Sequence, residues 1–397
     1  MWIGDISRFS APTNIIHGLH SLRLLGQEAQ QLATSRVFFV TDAGVREAGV
    51  LDEAFQSLTD AGITFVLYDQ APTDPDTLTV EQIARQITEN GCDCVVVAGG
   101  GSAMCSGTGA ALMATNPGNI RDYAGVERYH YPPLPCIAIP TTAGSGREVS
   151  KATVITDEQT NAKLVIIGYT NAPKVAILDP LVLRSLPRGQ GVASGVDALT
   201  HAIEGYYGRR ATLFTDAIAL AAIGAIAENI CPAILGDDLE AKSRMLLASS
   251  MANIACGEAG LGLSHNMNGA ITRTYKSRGY PPVAYGLIHA ITLPLAMEYN
   301  LPACEEKYAS LAKVLGVREG GKSRSQLGKE AIARIKELFV ALDAPRKLPW
   351  ENVPPEDIRQ LARTVLESVH EYPNPRTHRE GEIIELFHQA LRGWELG

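Results

Sequence analysis

The first half of this chain alternates short β-branched runs with segments of helical spacing, and the alternation stops at Asp179-Pro180. Such a pattern confines the first half to a parallel sheet layered by helices, because consecutive parallel strands need a crossover between them. The runs at 36–41 (RVFFVT), 64–68 (TFVLY), 94–98 (CVVVA) and 135–139 (PCIAI) read as its strands. Helical spacing fills 45–61 and 80–90, residues 151–167 read as strand, polar turn and strand, and 175–178 is a last strand. Beyond 180 almost every segment is rich in Ala, Leu and Ile with a helical period, so an all-helical part begins near 185. The exception is 275–285 (YKSRGYPPVAY), whose Gly, Pro and Ser predict a loop.

The length of 397 residues, 46% of them hydrophobic, supports two cores of about 180 to 210 residues and an expected division into 1–184 and 185–397. A net charge of −8 without a basic stripe argues against nucleic acid as a partner. Met1-Trp2-Ile3-Gly4-Asp5 is no secretory leader, and no window reaches the ~18 apolar residues of a membrane span. A cytoplasmic chain with no membrane partner is expected. The seven cysteines (Cys92, Cys94, Cys105, Cys136, Cys231, Cys256 and Cys304) are odd in number and scattered through apolar segments, and read as reduced core residues.

Gly99-Gly100-Gly101-Ser102 follows an apolar strand directly and opens an Ala-rich helical stretch. Backbone amides and a helix N-terminus then face one point, which suits a pyrophosphate, although a tight turn without a ligand would use the same glycines. Pro140-Thr141-Thr142-Ala143-Gly144-Ser145-Gly146 also follows a strand, with three hydroxyls at the sheet edge where α/β proteins bind ligands, or simply as a capped helix start. Two such loops together favour a dinucleotide.

Asp197 and His201 lie four residues apart in a helical pattern, hence on one face. A carboxylate and an imidazole so placed are half of a divalent-metal site, or an intrahelical hydrogen bond. His265 and His289 sit in apolar or Gly-rich segments that rarely hold a histidine without a partner, so they join the candidates.

With these motifs in order, the chain resembles the iron-containing, or group III, alcohol dehydrogenases. The likeness rests on PTTAGSGRE at 140–148 with Lys163, on GVDALTHAIEGYY around Asp197 and His201, and on AGLGLSH ending at His265, followed by Leu293-Pro294. It runs from FSAPTNIIHG at 9–18 to Asn374-Pro375-Arg376. The resemblance implies a Rossmann-like α/β dinucleotide-binding domain followed by an all-helical metal and substrate domain, the dehydroquinate synthase-like architecture, and a homodimer. It implies NAD(H) and iron or zinc as cofactors and a small alcohol or aldehyde as substrate. Gly99, Gly100, Gly101 and Ser102 would hold the pyrophosphate, Thr141, Thr142 and Lys163 the nicotinamide end, with Ser145 in the second loop. Asp42, matching a position near the adenosine ribose, would repel a 2′-phosphate and favour NAD over NADP.

Two departures from the family pattern lie at the chemistry. Gly269 stands where members carry a second histidine four residues after the one matched by His265, and Tyr285 stands where they carry a fourth metal ligand. Asp197, His201 and His265 remain as metal ligands, and His289, one turn past Tyr285, reaches them if its segment is helical. The ion is therefore expected to be weakly held or absent. Maleylacetate reductases, metal-free members of the superfamily, carry a histidine at the position of His289. Metal-independent reduction would then need His289 or Tyr285 as proton donor. A lyase related to dehydroquinate synthase, or a binding protein without activity, are the other readings; the first needs more basic residues than Arg273, Lys276 and Arg278.

Overall fold

A computed structural model describes residues 8–368 and 372–396. Met1 to Asp5, read above for a leader, lie outside them. Backbone contacts divide the chain into two compact units, one from Ser10–Pro187 with Asp237–Ser250, the other from Arg188–Gly236 with the chain from Met251 onward.

The first unit is built on β1 (Asn14–His17), β2 (Arg36–Val40), β3 (Thr64–Tyr68), β4 (Cys94–Gly99), β6 (Cys136–Pro140) and β9 (Val175–Leu178), in the order β1-β9-β6-β4-β2-β3. Every pairing in this sheet is parallel. β4 and β6 are buried at every position, as strands covered on both faces must be, which explains their unbroken apolar runs. β5 (Gly125–Val126), β7 (Ala152–Thr156) and β8 (Lys163–Ile167) form a second small sheet in the order β5-β8-β7.

Sequence patterning missed β1 and β5. β1 is an edge strand of four mostly exposed residues, and β5 has two residues, too few for either to show a period. The helical stretch expected at 45–61 is two helices, Ala43–Glu47 and Asp52–Asp60.

The second unit has helices and no strand among its described residues. Helix Arg188–Tyr207 carries the first metal motif, Leu263–Arg278 the second, and Tyr285–Asn300 the Leu-Pro pair. The loop expected at 275–285 is shorter than its composition suggested. Tyr275 to Arg278 continue the helix, which ends at Gly279 with φ +74°, and Tyr285 already begins the next one.

The expectation about apolar windows also needs correction. Helix Leu213–Leu235 has 23 residues and a mean hydropathy of 1.9 over its most apolar stretch, long and apolar enough to cross a bilayer. The count of consecutive apolar residues overlooked it because Thr215, Asp216 and Glu228 interrupt the run. Asp216 pairs with Lys307 at 2.8 Å, and Ala219, Ala222, Ile223, Ile226 and Ile230 are buried, so one face packs within its own unit.

Candidate active site

In the first unit, β4 delivers Gly99 to the N-terminus of helix Gly101–Met113, and β6 delivers Thr141 beside it, with Thr141 N–H donating to the Gly99 carbonyl at 3.0 Å. The two loops expected to flank a dinucleotide are neighbours. A Cβ on Gly100 would sit 3.5 Å from Thr142 Cγ2, and one on Gly101 would sit 3.0 Å from Ser145 Oγ. A Cβ on Gly99 would meet Ala103 Cβ at 2.5 Å and Asp42 Oδ2 at 3.3 Å. Asp42 thus reaches the cradle although it stands on another loop. Its Oδ1 caps helix Ala43–Glu47 by accepting from Val45 N–H at 3.0 Å, leaving Oδ2 toward Gly99.

Two residues assigned to the cofactor have other engagements. The Ser102 hydroxyl donates to the Thr73 carbonyl, so only its backbone belongs to the helix N-terminus. Lys163 Nζ, at the start of β8, donates to Asp74 Oδ1 at 2.6 Å and to Thr156 Oγ1 at 3.0 Å.

In the second unit, Asp197, His201 and His265 bring ligand atoms to within 4.8 Å of one another, all three side chains being buried. Asp197 Oδ1 lies 3.9 Å from His201 Nε2, 3.8 Å from His265 Nε2 and 3.5 Å from His289 Nε2. Ligand atoms arrayed tetrahedrally at about 2.1 Å from a cation stand about 3.4 Å apart, so Asp197, His201 and His265 together suit a divalent ion.

The close approach of His289 depends on Gly286, one turn earlier. A Cβ there would lie 2.0 Å from the Ala193 carbonyl oxygen, so only glycine lets helix Tyr285–Asn300 press its backbone against helix Arg188–Tyr207. Tyr285 is different: 47% exposed, its ring stands 5.5 Å from that of His289 and 6.5 Å from that of His265.

Neighbours set the protons of two of these imidazoles. Glu204, fully buried, accepts from the backbone N–H of Gly262 at 2.8 Å and of Ser264 at 2.7 Å. It also holds His265 Nδ1 at 2.6 Å. Burial pushes the Glu204 pKa up to about 7, while these donors favour its ionised form. Accepting the hydrogen bond from Nδ1–H keeps the proton on that nitrogen and leaves His265 Nε2 with the lone pair, as a carboxylate behind a metal-bound histidine does. His289 is set likewise. Asn268 Nδ2 donates to His289 Nε2 at 2.9 Å and to the Tyr285 carbonyl at 2.9 Å, so His289 Nδ1–H donates to Ser264 Oγ at 2.9 Å. The Ser264 hydroxyl in turn donates to Thr292 Oγ1 at 2.8 Å, and Thr292 donates to the Ile288 carbonyl at 3.1 Å. Burial, together with His265 and His201, lowers the His289 pKa well below its usual value. His289 presents a lone pair here, not a proton.

Sequence reasoning missed Glu204, Ser264 and Asn268. A signal existed for Glu204, which falls at 197, 201, 204 spacing on one apolar helix, where an acid without a partner would be costly.

The motifs and this geometry agree with comparisons over the whole length. Residues 12–180 match the iron-containing alcohol dehydrogenase model, and 191–391 match the model of the C-terminal part of the same family. The chain belongs to the iron-containing alcohol dehydrogenase family. It is 34% identical to 1,3-propanediol dehydrogenase of Klebsiella pneumoniae, over 96% of this chain and 98% of that protein. To the NAD-dependent methanol dehydrogenase of Bacillus methanolicus it is 32% identical over 97% and 100%. A crystal structure of 1,3-propanediol oxidoreductase superposes with a TM-score of 0.92 at 33% identity, covering 98% of this chain and all of that one. As a member of this family the chain is an NAD(H)-dependent oxidoreductase of alcohols and their carbonyl partners, with the α/β and helical architecture that the resemblance implied.

Proposed function

We propose that this alcohol dehydrogenase interconverts a short-chain alcohol and its aldehyde with NAD(H), using a divalent ion held by Asp197, His201 and His265. The observation that carries the reading is the convergence of the His201 and His265 Nε2 atoms on Asp197 Oδ1 at 3.9 and 3.8 Å, all three side chains being buried. When bound, the ion supplies Lewis acidity toward the substrate oxygen, and the nicotinamide takes or gives the hydride. The protein's own work is to keep the ligands in the right protonation state and to fix the dinucleotide.

Gly99 to Gly101 offer backbone amides without side chains in the way, and Thr142 and Ser145 border them. Asp42 sets the preference for NAD, its free carboxylate oxygen repelling a 2′-phosphate. Short-chain substrates are proposed because relatives of similar length are a 1,3-propanediol dehydrogenase, a methanol dehydrogenase and a lactaldehyde reductase. The seven cysteines, none of them in a disulfide, support a reducing, cytoplasmic compartment.

Reduction without a metal would need a proton donor at the cluster, and His289 has no proton on the nitrogen that faces it, which leaves Tyr285 for that role. The test is NADH oxidation with propanal and lactaldehyde, and NAD reduction with 1,3-propanediol, before and after chelator dialysis and after adding back Fe2+ or Zn2+. Activity that falls on chelation and returns with the ion is expected; full activity in metal-free protein overturns the metal part of the reading.

A further inference from the structure

The buried cluster around Asp197 holds one imidazole more than the three-ligand set needs. His289 Nε2 is the histidine nitrogen nearest to Asp197 Oδ1, at 3.5 Å against 3.8 and 3.9 Å for His265 and His201. The ring centroids of His265 and His289 are 4.2 Å apart. We propose that His289 is the fourth protein ligand of the ion, its Nε2 exchanging the amide of Asn268 for the metal. This inference rests on the reading that the cluster holds a divalent ion.

Three features support the exchange. The first is the tautomer: with Nδ1–H spent on Ser264 and the relay running on to Thr292 and the Ile288 carbonyl, the lone pair of His289 is permanently on Nε2, the form a metal requires. Metal-binding histidines usually donate their other N–H in this way. The second is electrostatic. A lone pair facing a carboxylate oxygen at 3.5 Å, with both side chains largely shielded from water, is repulsive, and a cation between the two atoms turns that repulsion into attraction. The third is backbone placement: Gly286 spares the room that any side chain would take, and so admits the helix bearing His289 to this distance.

Tyr285 offers none of this. It is half exposed, and a neutral phenol is a weak ligand whose ordinary pKa is near 10. Asn268 acts as a placeholder. It keeps its bond to the Tyr285 carbonyl when its other hydrogen is displaced, so the exchange breaks one hydrogen bond and disturbs nothing beyond it.

The test is Co2+ titration of the full chain, read by calorimetry and by visible absorption, in wild type, His289→Ala and Asn268→Ala, with thermal melts to check folding. Wild type should give the intense visible bands of a four-coordinate ion. His289→Ala should bind Co2+ more than tenfold more weakly with weaker, shifted bands, and Asn268→Ala should bind it severalfold more tightly with wild-type bands. If His289→Ala folds and matches wild type in affinity and spectrum, His289 is not a ligand, while the three-ligand reading stands. If His289→Ala fails to fold, Asn268→Ala decides, and unchanged affinity there overturns the proposal. Wild type that takes up no Co2+ overturns both.

Discussion

Gly100 and Gly286 each keep a side chain out of a functional place, yet for opposite reasons. Around Gly100 there is room: a Cβ would make ordinary contact with Thr142 at 3.5 Å, and the backbone at φ −80°, ψ −173° suits any residue. On the function proposed above, that space is for the phosphates of the dinucleotide. Around Gly286 there is none, because the Ala193 carbonyl would stand 2.0 Å from a Cβ, and the absent side chain serves the packing of two helices. The cradle is a surface kept open, whereas the metal cluster is a core feature assembled by close helix contact. Substitution at Gly100 should therefore damage binding alone, and substitution at Gly286 binding together with stability.

The largest effect should come from Gly100→Val, which fills the space over the helix N-terminus. NADH binding, followed by fluorescence titration, should become undetectable while the melting temperature stays within a degree or two. A parallel loss of stability would mean that the glycine is needed by the turn and not by a phosphate.

Gly286→Ala should lower stability by about 1–3 kcal/mol, as forced overpacking does, and should weaken metal binding in the same protein. Calorimetric melting with and without Co2+ separates the two effects; a variant as stable as wild type would show that the helices separate easily and that their contact does not define the site.

Glu204→Gln tests the proton placement on His265. Metal affinity should fall by about tenfold, the low end of what losing such a supporting carboxylate does. Equal affinity in the variant would mean that Glu204 only ties the start of helix Leu263–Arg278.

The smallest effect is expected at Asp42. Asp42→Gly should raise the kcat/KM with NADPH severalfold relative to NADH, at a stability cost of a few tenths of a kcal/mol for the lost cap. Wild type that already uses both cofactors equally would remove its proposed role and leave Asp42 a helix cap.

What the sequence determined by itself is whatever depends on near neighbours. The buried parallel strands stood out as unbroken apolar runs, the Gly99 to Gly101 turn as a strand passing into a helix, and the Asp197–His201 pair as one face of a helix. Each is set by a period or a turn within about a dozen residues, so physical chemistry acts on it before any tertiary contact forms. Tertiary structure alone decided that Asp42 faces Gly99, that Lys163 is held by Asp74, and that Glu204 and Asn268 dictate which nitrogen of His265 and His289 bears the proton. The partners in these contacts lie between 21 and 89 residues apart in the chain where a hydrogen bond joins them. A proton's position on a buried imidazole depends on which donor or acceptor is brought within 3 Å of it, and only the packing of helices that no local pattern relates can supply that neighbour.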